Sequence, residues 1–190
     1  TLSRPQVAAV LAVMTVASAT GGILFNLTTN GNAQLMAERF RDVMRDPVWL
    51  GLLLASVYAV ASLAQVVVGR LIDRVALKPL YLGVALLQVP LLLFASQAQG
   101  WWLYAGLLGT MVFIFGAIPF TDAMIVRYVD DRLRSRVAGM RLAVGLGTRA
   151  GGVGPRGAGV RGVASPPLLV VLAATAATTA AIVNFLPDEN

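Results

Sequence analysis

Residues 49–96 read WLGLLLASVYAVASLAQVVVGRLIDRVALKPLYLGVALLQVPLLLFAS. Two apolar runs, Trp49 to Val68 and Pro79 to Ser96, flank a short turn, Gly69 to Lys78, that holds every charge in the stretch. A helix crosses the hydrocarbon core of a bilayer with about 20 mainly apolar residues. Each run is therefore predicted to be a spanning helix and the pair a transmembrane hairpin, with Trp49 placed to anchor at the headgroup level.

The same pattern continues on both sides. A first span is predicted from Pro5, a good first-turn residue, to about Asn30. The mixed-charge stretch Glu38 to Asp46 is predicted to be an interfacial loop or short helix that ends at Pro47. Gln97 to Gly100 forms a short uncharged connection to a fourth span, Trp101 to Val126, where Trp101, Trp102 and Tyr104 suit an interface belt. A partial helix is predicted over 137–147, followed by an irregular segment rich in Gly and Arg over 148–167. The last span, Leu168 to Leu186, is punctuated by Pro166 and Pro167 before it and Pro187 after it. The expected fold is an all-α integral membrane protein, with 1–190 as a single transmembrane domain.

Composition agrees with this. Hydrophobic residues make up 57% and charged residues 13%, against roughly half and a quarter in soluble domains; a water-soluble surface needs far more Lys, Glu and Asp. The net charge of +6 comes from short basic clusters between apolar runs. There is no continuous basic stripe with interleaved aromatics, so no nucleic-acid partner is expected. Cysteine and histidine are both absent, which removes disulfides, thiolate and HExxH metal sites and histidine-dependent hydrolase triads. No nucleophile, base and orienting group occur together, so no enzyme activity, metal or cofactor is expected.

Arg70, Arg74 and Lys78 lie in one loop, and Arg127, Arg132, Arg134, Arg136 and Arg141 in another two spans later, hence on the same side. By the positive-inside rule that side is the cytoplasm. Arg39, Arg41 and Arg45 fall in the opposite loop, where Glu38, Asp42 and Asp46 offset them. Arg far outnumbers Lys, and Ala, Gly, Val and Leu dominate, which points to a GC-rich bacterial genome and a multi-pass plasma-membrane protein. The chain starts at Thr1 without Met and without a signal-peptide pattern, and reads as a piece of a longer one.

The turn Gly69-Arg70-Leu71-Ile72-Asp73-Arg74-Val75-Ala76-Leu77-Lys78-Pro79-Leu80 resembles the G-x-L-x-D-R-x-G-R-K-P-L signature of the major facilitator superfamily. It matches at Gly69, Leu71, Asp73, Arg74, Lys78, Pro79 and Leu80 and departs at Ala76 and Leu77. A second loop, Asp130-Asp131-Arg132-Leu133-Arg134-Ser135-Arg136, is similar to the family's basic loop two helices later. The resemblance covers about Pro5 to Gly147, and Leu168 to Leu186 generically. It implies the C-terminal six-helix half of a transporter, built from two inverted three-helix repeats, Pro5 to Ser96 and Trp101 to Leu186. It also implies that Asp73 and Arg74 form a conformational latch against the start of the fifth helix, near Arg136 and Arg141. The turn's own chemistry allows a simpler role as a solvated positive-inside loop. Gly69 is expected to let neighbouring helices approach closely, and Asp73 to accept hydrogen bonds at a helix N-terminus.

Polar residues inside the spans are the candidate substrate contacts. Thr15, Ser18, Gly22, Asn26, Asn30 and Gln34 recur at steps of three and four, forming one stripe on a helix face; in lipid such a stripe must face protein or water. Asn26 and Asn30 carry amide donors and acceptors, for substrate or for interhelical hydrogen bonds. Tyr58, Ser62 and Gln65 form a second polar face that could meet the first across a cavity or simply pack. Asp122 is the one carboxylate within an apolar run, open to a substrate or proton role or to a salt bridge with the basic loop, Arg127 being about 7 Å further along.

Three arginines in the irregular segment, Arg149, Arg156 and Arg161, would cost a spanning helix roughly 8 to 10 kcal/mol. Two explanations stand at this point: an alternate-frame translation of Thr148 to about Pro167, or a genuine cytoplasmic segment after which the last helix inserts with its C-terminus outside. The functional expectation is alternating-access transport of a small solute whose identity is unread, with coupling to a proton or another ion left open. Its partners would be membrane lipid and an N-terminal transporter half. The alternative is a non-transporting membrane scaffold or sensor, or an inactive fragment.

Overall fold

The computed structural model describes residues 4–129, 134–140, 142–143 and 166–184. Of the irregular segment expected over 148–167, residues 148–165 lie outside the described residues, as do Arg141 and residues 144–147 of the expected partial helix and the site residue Arg132; Pro166 and Pro167 instead begin the last helix. Five helices dominate: α1 (Arg4–Arg39), α2 (Pro47–Ile72), α3 (Leu77–Gln97), α4 (Gly100–Tyr128) and α5 (Pro166–Val183); residues 134–140 are also helical, and no strand occurs among the described residues. The first four helices are long and apolar enough to cross a membrane, whereas the described apolar stretch of α5, Leu169–Val183, is shorter. Helices suit lipid because they satisfy every backbone donor and acceptor internally.

α5 ends at Val183, short of the predicted Leu186, whereas the first four helices outrun the predicted spans, α1 by the most. Its polar far half does not end the helix near Asn30, because the side chains bond along it: Asn30 Nδ2 donates to the Asn26 carbonyl at 2.9 Å and to Asn26 Oδ1 at 3.0 Å, and Gln34 Nε2 to Glu38 Oε1 at 2.9 Å. Beyond Asn30, Leu35 and Met36 are buried and fasten the extension to the bundle. The predicted loop from Glu38 therefore begins only after Arg39. α2 starts two residues before Trp49, where the Asp46 carboxylate caps it by accepting from the Val48 N–H at 2.9 Å and Pro47 opens the first turn. α3 starts at Leu77, fully buried, and carries Pro79 in its first turn, where the missing N–H costs nothing.

α4 packs against α1, α2 and α3, and α5 packs against α3 and α1. The helices α1, α4, α3 and α5 thus form a closed ring in that order, with α2 outside it against α4 and α1. Two buried clusters seal the ring at different heights. One joins Val10 and Met14 to Ile72, Leu77, Phe120, Met124 and Val183. The other joins Leu35, Met36 and Phe40 to Leu92, Leu103, Leu169 and Leu172. α5 consequently runs antiparallel to α1 and α3, its C-terminus at the same end as the α2–α3 turn. Val183 belongs to the same buried cluster as Ile72 and Leu77, at the basic end, so the C-terminus of α5 lies on the side of the basic loops and not opposite them, as the backward insertion would require.

The close approach expected at Gly69 is not there, since a Cβ at that position would meet nothing within 4 Å. Gly106, Gly109 and Gly116 of α4 serve that purpose instead. A Cβ on Gly106 would lie 3.0 Å from Phe94 Cδ1 and 3.4 Å from the Ala95 Cα of α3; one on Gly109 would lie 3.1 Å from Leu91 Cδ2, and one on Gly116 3.2 Å from Val68 Cγ2 of α2. Small residues let membrane helices gain packing contact where no hydrophobic force draws them together. The tight α3–α4 connection depends on Gly100, whose φ of +53° is in the left-handed region.

Candidate functional site

Three regions carry the polar chemistry: the basic end, the outward face of α1, and a cavity inside the ring. At the basic end the arginines cap helix C-termini, where unsatisfied carbonyls and the macrodipole favour a cation. The Arg127 guanidinium of α4 donates to the Ile72 carbonyl, the last residue of α2. Arg134 Nη2 donates to the Val126 carbonyl at 2.6 Å and its Nε to the Val129 carbonyl at 3.2 Å, closing the end of α4. These bonds bring the two basic loops to one end of the bundle, as the charge pattern predicts.

The motif residues sit close by. Asp73 is the C-cap of α2, its backbone N–H bonded to the Leu71 carbonyl, so it does not accept at a helix N-terminus as predicted. Asp73, Arg74 and Arg136 are exposed, and no hydrogen bond or ion pair joins the Asp73 and Arg74 side chains to any described residue. Gly69 lies in the last turn of α2 and Lys78 in the first turn of α3.

At the opposite end Arg39, whose charge the neighbouring carboxylates offset in the sequence, has a structural role. Arg39, the last residue of α1, directs Nη1 at three carbonyls at the end of α3: Ser96 at 2.7 Å, Ala95 at 3.3 Å and Ala98 at 3.3 Å. Phe40 packs edge-on against Trp101 with centroids 5.3 Å apart, and Trp49, Trp101 and Trp102 are exposed around it.

Of the predicted cavity residues, Asn26, Asn30 and Gln34 remain together on α1, with Asn30 exposed and the other two partly buried. Tyr58 meets α1 directly, without an intervening cavity: its hydroxyl donates to the Thr29 carbonyl at 3.1 Å and accepts from Asn32 Nδ2 at 3.4 Å. Ser62 turns back to the Tyr58 carbonyl at 2.8 Å, and Gln65 is partly buried. Asp122 is exposed on the side of α4.

The outward face of α1 differs from every other. Its exposed positions among the described side chains are Ala12, Thr15, Asn30, Ala33, Ala37 and Glu38, and none is a large hydrophobic residue. α2 exposes Leu52, Leu63 and Val67, α3 exposes Leu86 and Leu87, α4 exposes Trp102 and Val126, and α5 exposes Val170 and Val171.

A partly open cavity of about 180 Å³ lies between the two clusters, lined by all four helices of the ring and by Leu142. Ser18 and Gly22 of the predicted stripe reach it, but Asn26, Asn30, Gln34, Tyr58, Gln65 and Asp122 do not. Its other polar walls, Tyr81, Gln88, Thr121 and Thr179, come from three further helices and share no sequence signal. No protein family matches the chain, and no curated protein is similar to it.

Proposed function

We propose that this chain is half of a secondary transporter of the major facilitator type, resident in a bacterial plasma membrane, and that it moves a small solute by alternating access with a second half. The outward face of α1 carries the proposal. A membrane helix whose exposed positions are Ala, Thr, Asn and Glu is ill-suited to lipid and well suited to another protein surface or a water-filled path. Asn26 and Asn30 are the substrate contacts of this reading. Asn26 lies about 20 Å along the axis from Arg39 at 1.5 Å per residue, well inside the membrane if Arg39 and the tryptophans mark the headgroup level. Asp73 and Arg74, exposed and without a side-chain partner among the described residues, are available to engage a partner surface in one transport state.

The absence of cysteine makes the test direct. In cells co-expressing the missing half, Asn26→Cys and Asn30→Cys should react with a charged, membrane-impermeant methanethiosulfonate, while Leu86→Cys and Leu87→Cys on the lipid side of α3 should not. Transport should require both halves. Unreactive cysteines at both α1 positions would refute the aqueous path; solute flux by the reconstituted chain alone would refute the half-transporter assignment.

A further inference from the structure

The cavity inside the ring has no part in the proposed transport path, and its walls are unusual in what they leave undone. Thr15, Thr20, Thr28 and Thr29 on α1 all return their hydroxyls to a carbonyl of the preceding turn. Ser18, on the same helix, does not: its Oγ is buried with no hydrogen-bond partner among the described residues. Gln88, 4% exposed, donates Nε2 to the Phe113 carbonyl at 3.0 Å, and its Oε1 accepts nothing from the described residues. Tyr81, 3% exposed and stacked on Phe120 at 4.7 Å, makes no hydrogen bond through its hydroxyl among them either. All three line the cavity. A buried polar group left without a partner costs about 1–3 kcal/mol; Ser18 Oγ is such a group, and together with Gln88 and Tyr81 on the same void it marks a place where something else supplies the bonds.

The remaining wall sets the size and character of that occupant. Phe25, Ala85 and the bare backbone of Gly21 present apolar surface, and a Cβ on Gly21 would meet nothing within 4 Å. No Asp, Glu, Lys or Arg is among the described lining residues. A dry cavity of about 150 Å³ accepts a benzene ring, so about 180 Å³ accommodates one ring with a small substituent. We propose that this cavity binds a small uncharged aromatic compound bearing a hydroxyl or carboxamide group, its ring against Phe25 and Gly21 and its polar group bonded by Gln88, Ser18 and Tyr81. The inference is independent of the transport reading, since none of the residues assigned to that path lines the cavity.

The test uses Ser18→Cys in the cysteine-free chain, held in lipid nanodiscs, with benzamide as the probe and the small uncharged reagent methyl methanethiosulfonate. Benzamide at ten times its Kd should slow modification of Ser18→Cys roughly tenfold by mass action and leave Ala12→Cys, on the outward face of α1, unaffected. Gln88→Leu in the Ser18→Cys background should abolish the protection. Because Gln88→Leu also removes an interhelical bond, Ala85→Leu provides a second variant that fills the cavity with that bond intact, and it should abolish protection as well. No slowing at Ser18→Cys, equal slowing at Ala12→Cys, a thiol that never reacts, or protection that survives Ala85→Leu would each overturn the proposal.

Discussion

Removing the Arg39 guanidinium should unfasten α1 from α3 at the tryptophan end of the bundle. In Arg39→Met the stem and its packing are largely retained, while the bonds to the Ala95, Ser96 and Ala98 carbonyls are lost. The 2.7 Å bond from a charged donor to Ser96 is worth about 2 kcal/mol. A cation at the C-terminus of α3 adds up to about 1 kcal/mol, and the two 3.3 Å contacts contribute little beyond that. The total of about 3 kcal/mol corresponds to roughly a 100-fold change in the unfolding equilibrium. Arg41 is the control, because it is exposed and its Nε bonds only to the Ala37 carbonyl of its own helix. The assay is reversible unfolding in mixed micelles titrated with dodecyl sulfate, comparing Arg39→Met, Arg39→Lys and Arg41→Met. Arg39→Lys keeps the charge without the planar fork and should fall between wild type and Arg39→Met. If Arg39→Met unfolds within about 0.5 kcal/mol of Arg41→Met, the carbonyl clamp is not a stabilising contact.

Three further outcomes follow from the packing. Gly106→Leu should destabilise by about 1–3 kcal/mol through overpacking against Phe94 and the Ala95 backbone, with Gly69→Leu nearly silent in the same unfolding assay. Gly100→Ala should cost about 1 kcal/mol by placing a side chain at a left-handed residue, read as a lower midpoint in the same titration. The Thr20 and Thr179 hydroxyls are 2.7 Å apart across α1 and α5; a double-mutant cycle to Val should return a coupling of about 0.6 kcal/mol, the usual value for such bonds in membranes, and a coupling of zero would dismiss the contact.

The apolar centres of the helices could be read from the sequence because hydropathy over about 20 residues is a property of each segment alone. The extent of α1 was harder, because Asn26, Asn30 and Gln34 look like a helix end until their side chains are seen bonding one turn along. Leu35, Met36 and Phe40, buried against α3 and α4, were the sequence signal that the helix continues. Arg39 could not be assigned, since its partners are backbone carbonyls and any sequence would supply those. The close-packing glycines were misplaced for a related reason: whether Gly69 or Gly106 faces a neighbour depends on how the helices are rotated in the bundle. The charge asymmetry did identify the basic end, because loop charge survives any rotation. Ser18 and Gly22 of the cavity belong to a stripe visible on one helix, but Tyr81, Gln88 and Thr179 join them only through tertiary packing.

The ring also has a history written into its order. Chain synthesis delivers α1, α3 and α4 before α5, yet α5 supplies two of the four seams, those against α1 and α3. Until it arrives, the inner walls of α1 and α3 stand open along one side, and the surface that later encloses the cavity belongs to a trough. A nascent chain stalled before Pro166 would therefore leave Ser18, Tyr81 and Gln88 facing an open trough, which the arrival of the last helix narrows to the cavity.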